Sequence, residues 1–286
     1  MNVSSQYAQS VGPQALADQL SSDLPGINVV RLDTSPEGGA FSDDIPVPNP
    51  ESTSDIQAVI QALNAKGIGV IVDNHSGDVQ NANNVSLDGS EAQWYGTIAQ
   101  QNLGNNGVMF QPQNEPTGSN QDIVNEQVAV YNAIRATGSN NVVAFDLGGG
   151  SNAAPQLSDP SAYDSMSNCA FDAHAYVVDS NTVSYLPGEV KQTASLTEAN
   201  GQAVPVYFGE TGNAISPPTI DNGSNQLLQA EYTSGNGAIA YNFDHAPFAL
   251  DGSSQADNML DGNGNLNAYG QFIASLIQQS NSSTSG

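Results

Sequence analysis

The stretch "STSDIQAVIQALNAKGIGVIVDNH", residues 52–75, decides the fold. Its first part sets Ile56, Val59, Ile60 and Leu63 on one stripe at helical spacing, with Ser52, Thr53 or Ser54 as N-cap and Gly67 as the stop. Its second part, "GIGVIVD" (67–73), is apolar without alternation, the pattern of a strand covered on both faces of a parallel sheet. A helix feeding such a strand is one unit of an α/β protein.

The same unit recurs along the chain. Further apolar runs are "INVVRL" (27–32), "GVMFQ" (107–111), "NVVAFD" (141–146), "CAFDAHAY" (169–176), "VPVYFG" (204–209) and "GAIAYNF" (237–243). Helical segments lie around them: "GPQALADQLSSDL", "SEAQWYGTIAQQNLG", "NEQVAVYNAIRATG" and a closing "NAYGQFIASLIQQS". With "MNVSS" as a short or truncated first strand, the seven runs complete a (β/α)8 TIM barrel, and 286 residues suit one. An open doubly wound sheet is the competitor. It usually announces a G-x-G-x-x-G loop, which is missing; "LGGGS" (147–151) lacks the spacing and reads as an ordinary loop.

Composition narrows the function. There are 29 acidic residues against 4 basic ones, a formal net charge of −25. Nucleic acid and anionic membrane surfaces are excluded as partners, since both need Lys and Arg, and a neutral ligand suits the field. No apolar run approaches the roughly 18 residues of a membrane span. Carboxylates protonate near pH ~4, where self-repulsion fades, and a chain this poor in Lys and Arg has few ion pairs to lose there. The expectation is a secreted protein working in mildly acidic surroundings. The start has no basic n-region or apolar h-region, so a secretion signal is not part of this sequence. Cys169 is the only cysteine and excludes an internal disulfide. The end, "QQSNSSTSG", reads as a disordered Ser/Asn-rich tail over residues 280–286.

Reactive side chains gather where the runs end. Arg31 closes the first; Asp73, Asn74 and His75 follow the second; Asn114 and Glu115 follow the third. His174 and Tyr176 close the fifth, and Glu210 follows the sixth. Taken singly each has a plainer role: a structural histidine, a helix-capping Glu, an Asp bracing a loop. In a barrel, however, all C-terminal strand ends open on one face, where active sites are built. Two carboxylates converging there suit glycoside hydrolysis, with one group protonating the leaving oxygen and the other attacking the anomeric carbon or activating water. Arg31 would keep one Glu ionised.

These motifs resemble glycoside hydrolase family 5, in the large clan of retaining (β/α)8 glycosidases. "NVVRL", "VIVDNH", "QNEP", "AIRATGSNNVV", "FDAHAY" and "VYFGETG" follow its strand motifs in order and spacing, over roughly residues 27 to 245. The resemblance implies Glu115 as acid/base and Glu210 as nucleophile of a double displacement. It implies Arg31, His75, Asn114, His174 and Tyr176 as supporting residues and no cofactor or metal. One catalytic domain would span residues 1–279, most simply as a monomer.

Three departures stand out. The family usually has a Trp after strand eight; here "AYNFDHAPF" offers Phe243, Tyr241 or His245 in its place, and the sole Trp, Trp94, sits in a helical segment and reads as core. Strand one is weak, and Arg31 has no second cation behind it. A calcium-like start at Asp261, Asn263 and Asn265 has Leu266 and Phe272 where such loops need Gly and Glu. His75, His174 and His245 lie on different strands, a weak basis for zinc. The resemblance thus implies an endo-β-1,4-glycosidase acting on a β-linked polysaccharide or oligosaccharide. Cellulose-type β-glucan comes first and mannan next. A transglycosylase and a catalytically inactive sugar-binding barrel are the rivals.

Overall fold

A computed structural model describes residues 1–36, 38–40, 46–47, 50–75, 89–116, 119–146, 165–177, 205–213, 238–240, 259–261 and 263–283, with Tyr163, Gly188 and Lys191. Strand β1 spans Asn2–Ser4 and is followed by helices α1, Ser5–Val11, and α2, Pro13–Asp23. Then come β2 (Val29–Thr34), α3 (Thr53–Ala65), β5 (Gly69–Asn74), α4 (Ser90–Gln101), β6 (Val108–Gln111), α5 (Asn120–Ala136) and β7 (Val143–Asp146). Two-residue strands β3, Gly39–Ala40, and β4, Pro46–Val47, pair antiparallel after β2. β8 (Cys169–Val177), β9 (Val206–Asn213), β10 (Ala238–Ala240) and α6 (Ala268–Ser283) complete the described chain.

The eight longer-range strands form one parallel sheet in the order β1-β2-β5-β6-β7-β8-β9-β10. It curls far enough for the Asn2 side chain in β1 to donate to the Gly209 carbonyl in β9, at 2.8 Å. This is the (β/α)8 barrel, and its first strand is indeed short. Each of the seven apolar runs contains a strand among the described residues. α3 begins after Ser52, whose hydroxyl meets Ser54 rather than the helix backbone, and Gly67 takes φ +76° beyond its end.

Strand side chains alternate between two buried environments. Leu32, Val72, Phe110, Phe145 and Phe171 face the helices, where Leu20, Ile60, Ile98 and Ile134 pack against them in one apolar cluster. Burial of each such side chain contributes about 1.5–3 kcal/mol. Their neighbours Arg31, Asp33, Asp73, Gln111, Asp146 and Asp172 point into the barrel and are buried there. Register keeps these polar positions level: Asp33 pairs with Asp73, Asp73 with Gln111, and Asp146 with Asp172.

One irregularity redirects a strand. Ala173 pairs with Phe208 but His174 pairs with Glu210, so Gly209 is an extra residue in β9. The pairing with β10 slips over the same span, from Ala238↔Phe208 to Ala240↔Thr211. Tyr207 points inward and Phe208 outward, and strict alternation would then turn Glu210 outward. The bulge restores it to the inside. Freed from the ladder, Gly209 N–H donates to Asp172 Oδ1 at 2.6 Å.

Trp94 is buried, edge-on to Tyr95, with its indole N–H donating to the Glu51 carbonyl at 2.7 Å. Glu51 itself is buried and accepts from the Ser5 hydroxyl and from Ser35 N–H. Asp261 accepts from the backbone of Asn263 and Asn265, so its carboxylate closes a turn. α6 runs to Ser283, past the position where a tail was expected; residues 284–286 and the loop at 147–151 lie outside the described residues.

Candidate active site

β2, β8 and β9 carry Arg31, His174 and Glu210, His75 follows directly on β5, and the turn after β6 delivers both Asn114 and Glu115. Arg31 is fully buried at the centre. Its guanidinium donates to Glu210 Oε1 at 2.6 Å, Asn114 Oδ1 at 2.8 Å, Asn2 Oδ1 at 3.0 Å and Gln111 Oε1 at 3.1 Å. Asp73 lies 3.0 Å from it as an ion pair. A planar fork with five donors is what allows one residue to reach so many partners. Burial works against the Arg31 charge, but Asp73, Glu210, Asp172 and Asp33 outweigh it and hold its pKa well above the ordinary value.

Glu210 thus sits against a permanent cation. Its second oxygen is 3.5 Å from His174 Nδ1. The same nitrogen meets Glu115 Oε1 at 2.9 Å, which puts the imidazole between the two glutamates. Single oxygens of Glu115 and Glu210 and a nitrogen of His174 all lie within 4.8 Å of one another. Glu210 is buried, whereas the Glu115 side chain is 27% exposed, the more open of the two carboxylates.

Glu115 stands where the chain leaves the sheet. Asn114 N–H still donates to Asn74 O, at 3.0 Å, but Glu115 turns to φ +41° and its N–H donates to Asp146 Oδ2 at 2.7 Å. His75 Nδ1 is 3.0 Å from Asp73 Oδ2, and its Nε2 is 3.4 Å from Asn114 Nδ2. Burial opposes its charge, yet Asp33, the bond to Asp73 and Glu210 push its pKa up to about 9. His174 is raised too: burial opposes, and Glu210, Asp172 and Asp146 prevail. Burial lifts Asp33 well above the usual carboxylate range, against the pull of His75 and Arg31.

Arg31, His75, Asn114, Glu115, His174 and Glu210 therefore come together as the motifs imply. Tyr176 lies in β8 opposite Gly212, but its side chain is outside the described residues. Phe243, Tyr241 and His245 are outside them altogether. The sequence reading missed the tier beneath. Gln111 accepts from Arg31 and from the Tyr207 hydroxyl (2.8 Å) and donates to Asp172 Oδ2 (2.7 Å); Asp172 also lies 3.4 Å from His174 Nε2. Asp33, Gln111 and Asp172 each stand two residues from, or level with, a named site residue on an inward face, a signal that strand parity carries.

Among the described residues, three groups could gather a metal: Asp33, Asp73 and His75; Glu115, His174 and Glu210; Asp146, Asp172 and His174. Arg31 and the two imidazoles already set positive charge against these carboxylates, so a cation would have to displace them.

The model of the cellulase family, glycosyl hydrolase family 5, matches residues 2–245. No curated protein matches the chain. A structure from Cytophaga hutchinsonii is 17% identical with a TM-score of 0.71, covering 99% of this chain and 89% of that one. A β-mannanase from Streptomyces thermolilacinus is 17% identical at 0.67, covering 96% and 89%. A xyloglucan-specific endo-β-1,4-glucanase from a metagenomic library, in complex with cellotriose, is 18% identical at 0.65, covering 92% and 87%. At these identities the structural likeness carries the fold.

Proposed function

The chain belongs to glycosyl hydrolase family 5, and from that premise we propose that this glycoside hydrolase is a retaining endo-β-1,4-glucanase acting on cellulose-type β-glucan. The observation that carries the reading is the approach of Glu115 and Glu210, with one oxygen of each inside 4.8 Å around His174. Carboxyl groups about 5–5.5 Å apart suit double displacement; inversion needs about 6.5–9.5 Å to seat a water.

In the first step a Glu210 oxygen bonds to the anomeric carbon as the glycosidic C–O bond breaks, and the Glu115 proton passes to the leaving oxygen. In the second, Glu115 takes a proton from water, whose oxygen bonds to the anomeric carbon as the bond to Glu210 breaks. Arg31, in contact with Glu210 at 2.6 Å, keeps the nucleophile ionised, and burial strengthens that pairing. Asn114 and His75 face the same space as groups for sugar hydroxyls; Tyr176 and Phe243 complete the proposed set. One domain, acting as a secreted monomer, accompanies this reading. Among the described residues no helix is long and apolar enough to cross a membrane.

Mannan is the second reading, favoured by the β-mannanase among the similar structures. Reducing-sugar release from soluble cellulose, β-glucan and mannan near pH ~4.5, on the acid side where carboxylates begin to titrate, tests both, with Glu210→Gln as control. Activity on one polymer that disappears in the variant, with the β-anomer formed first by NMR, supports the proposal. An α-anomer as first product refutes retention. Silence on all three polymers from folded protein refutes the glucanase reading and favours the sugar-binding barrel.

A further inference from the structure

We propose that Asp146 is a positioning residue for Glu115, gripping the proton donor from two sides; this rests on the reading of Glu115 as the acid/base. Glu115 is a non-glycine residue at φ +41°, a conformation that costs about 1–2 kcal/mol for an L-residue and persists only where its surroundings hold it. The preceding residue is anchored: β6 ends at Gln111, but Asn114 N–H reaches back to Asn74 O at 3.0 Å. The next N–H, that of Glu115, turns away from Asn74 and donates to Asp146 Oδ2 at 2.7 Å. That bond sets the peptide plane from which the Glu115 side chain departs.

The same oxygen of Asp146 lies 3.7 Å from His174 Nε2, and His174 Nδ1 is 2.9 Å from Glu115 Oε1. Backbone, carboxylate, imidazole and glutamate tip thus close a ring. Asp146 fixes the root of the Glu115 side chain directly and, as an ion-pair neighbour beside Asp172, which is 3.4 Å from the same nitrogen, helps to steady its tip through the imidazole. Asp146 is itself held: it is buried, it ends β7 level with Asp172, and its carbonyl accepts from Gln127 Nε2 at 3.2 Å. Tyr163 braces Gln127 from behind, its hydroxyl donating at 2.6 Å. None of these residues needs to touch substrate.

The consequence falls on the two proton transfers of Glu115, to the leaving oxygen in the first step and from water in the second, since both depend on where that carboxyl points. The leaving group isolates the first of them. A cellulose chain leaves as an alkoxide unless protonated, whereas 2,4-dinitrophenol leaves as a stable phenolate without a proton. The test compares kcat/KM, which reports the first step, on cellopentaose and on 2,4-dinitrophenyl β-cellobioside. For Asp146→Ala the expected loss is about 10- to 100-fold on cellopentaose and less than about threefold on the aryl glycoside. Asp146→Asn keeps an acceptor oxygen without the charge and should show a smaller split of the same sign; it also decides the matter if Asp146→Ala does not fold. Equal losses on both substrates, or no loss on either, overturn the proposal. Glu115→Ala must show the same split more deeply. If it does not, the assignment of Glu115 as proton donor fails independently of Asp146.

Discussion

A methyl group added at Gly209 would sit well inside van der Waals contact of the Asp172 carboxylate, so one of the two must move. Asp172 has little freedom, being tied to Gly209 N–H at 2.6 Å and to Gln111 at 2.7 Å. Overpacking of a tight site costs about 1–3 kcal/mol, and a buried hydrogen bond to a charged group is worth about 1.5–3 kcal/mol. Gly209→Ala is therefore expected to destabilise by about 3–5 kcal/mol, a large share of the roughly 5–15 kcal/mol of a typical protein. Asp172→Ala is expected to cost about 3 kcal/mol by orphaning the same N–H and the Gln111 amide. The two losses share one cause, so the double variant should be more stable than their sum by about 2 kcal/mol or more. Urea unfolding of the four proteins, followed by circular dichroism, measures the coupling. Additivity within about 0.5 kcal/mol would refute the contact and, with it, the explanation of how β9 turns Glu210 inward.

Arg31→Lys keeps the charge but gives up the fork, and should lose about 3 kcal/mol of stability together with most turnover, read by urea unfolding and reducing-sugar release; full retention of both would contradict the central role of the guanidinium. Stability should be greater in mild acid than in mild alkali. The folded pKa of His75, near 9, lies above its unfolded value, so its contribution is complete below about pH 6.5 and fades as pH rises through 9. Burial raises Glu51 as well, and its contribution begins to fade above pH 4.5. A melting temperature at pH 8.5 equal to or above that at pH 5 would contradict the assignment. Cys169, half-buried with its thiol pushed up to about 11, should alkylate far more slowly at pH 8 than a free cysteine in a peptide.

The barrel was legible because its strands are covered on both faces. Runs such as "GIGVIVD" need no alternation to be found, and the helical stripe at Ile56, Val59, Ile60 and Leu63 is buried as its spacing implies. β1 was harder, since three residues carry almost no periodicity. The site residues that follow a strand end could be read off the chain. Asp146 and Asp172 could not be singled out so easily, because an Asp near a strand end is usually a turn signal, and only parity and register reveal that both face inward. The extra residue at Gly209 leaves no periodic trace at all; "YFGE" reads as an ordinary strand end, and its two-sided slip against β8 and β10 appears only when the pairing is seen.

The burial of Trp94 has a spectroscopic consequence. It is the only tryptophan in the chain, so red-edge excitation isolates one emitter, carried by α4, edge-on to Tyr95 and bonded to the Glu51 carbonyl. Its emission should sit to the blue when folded and shift red once that corner admits water. Circular dichroism, by contrast, averages over every helix and strand. If the two signals change together in urea, the barrel comes apart as a single cooperative unit. If tryptophan emission shifts first, the corner around Glu51 opens on its own, and the molecule has reported a separate folding unit through a residue it already carries.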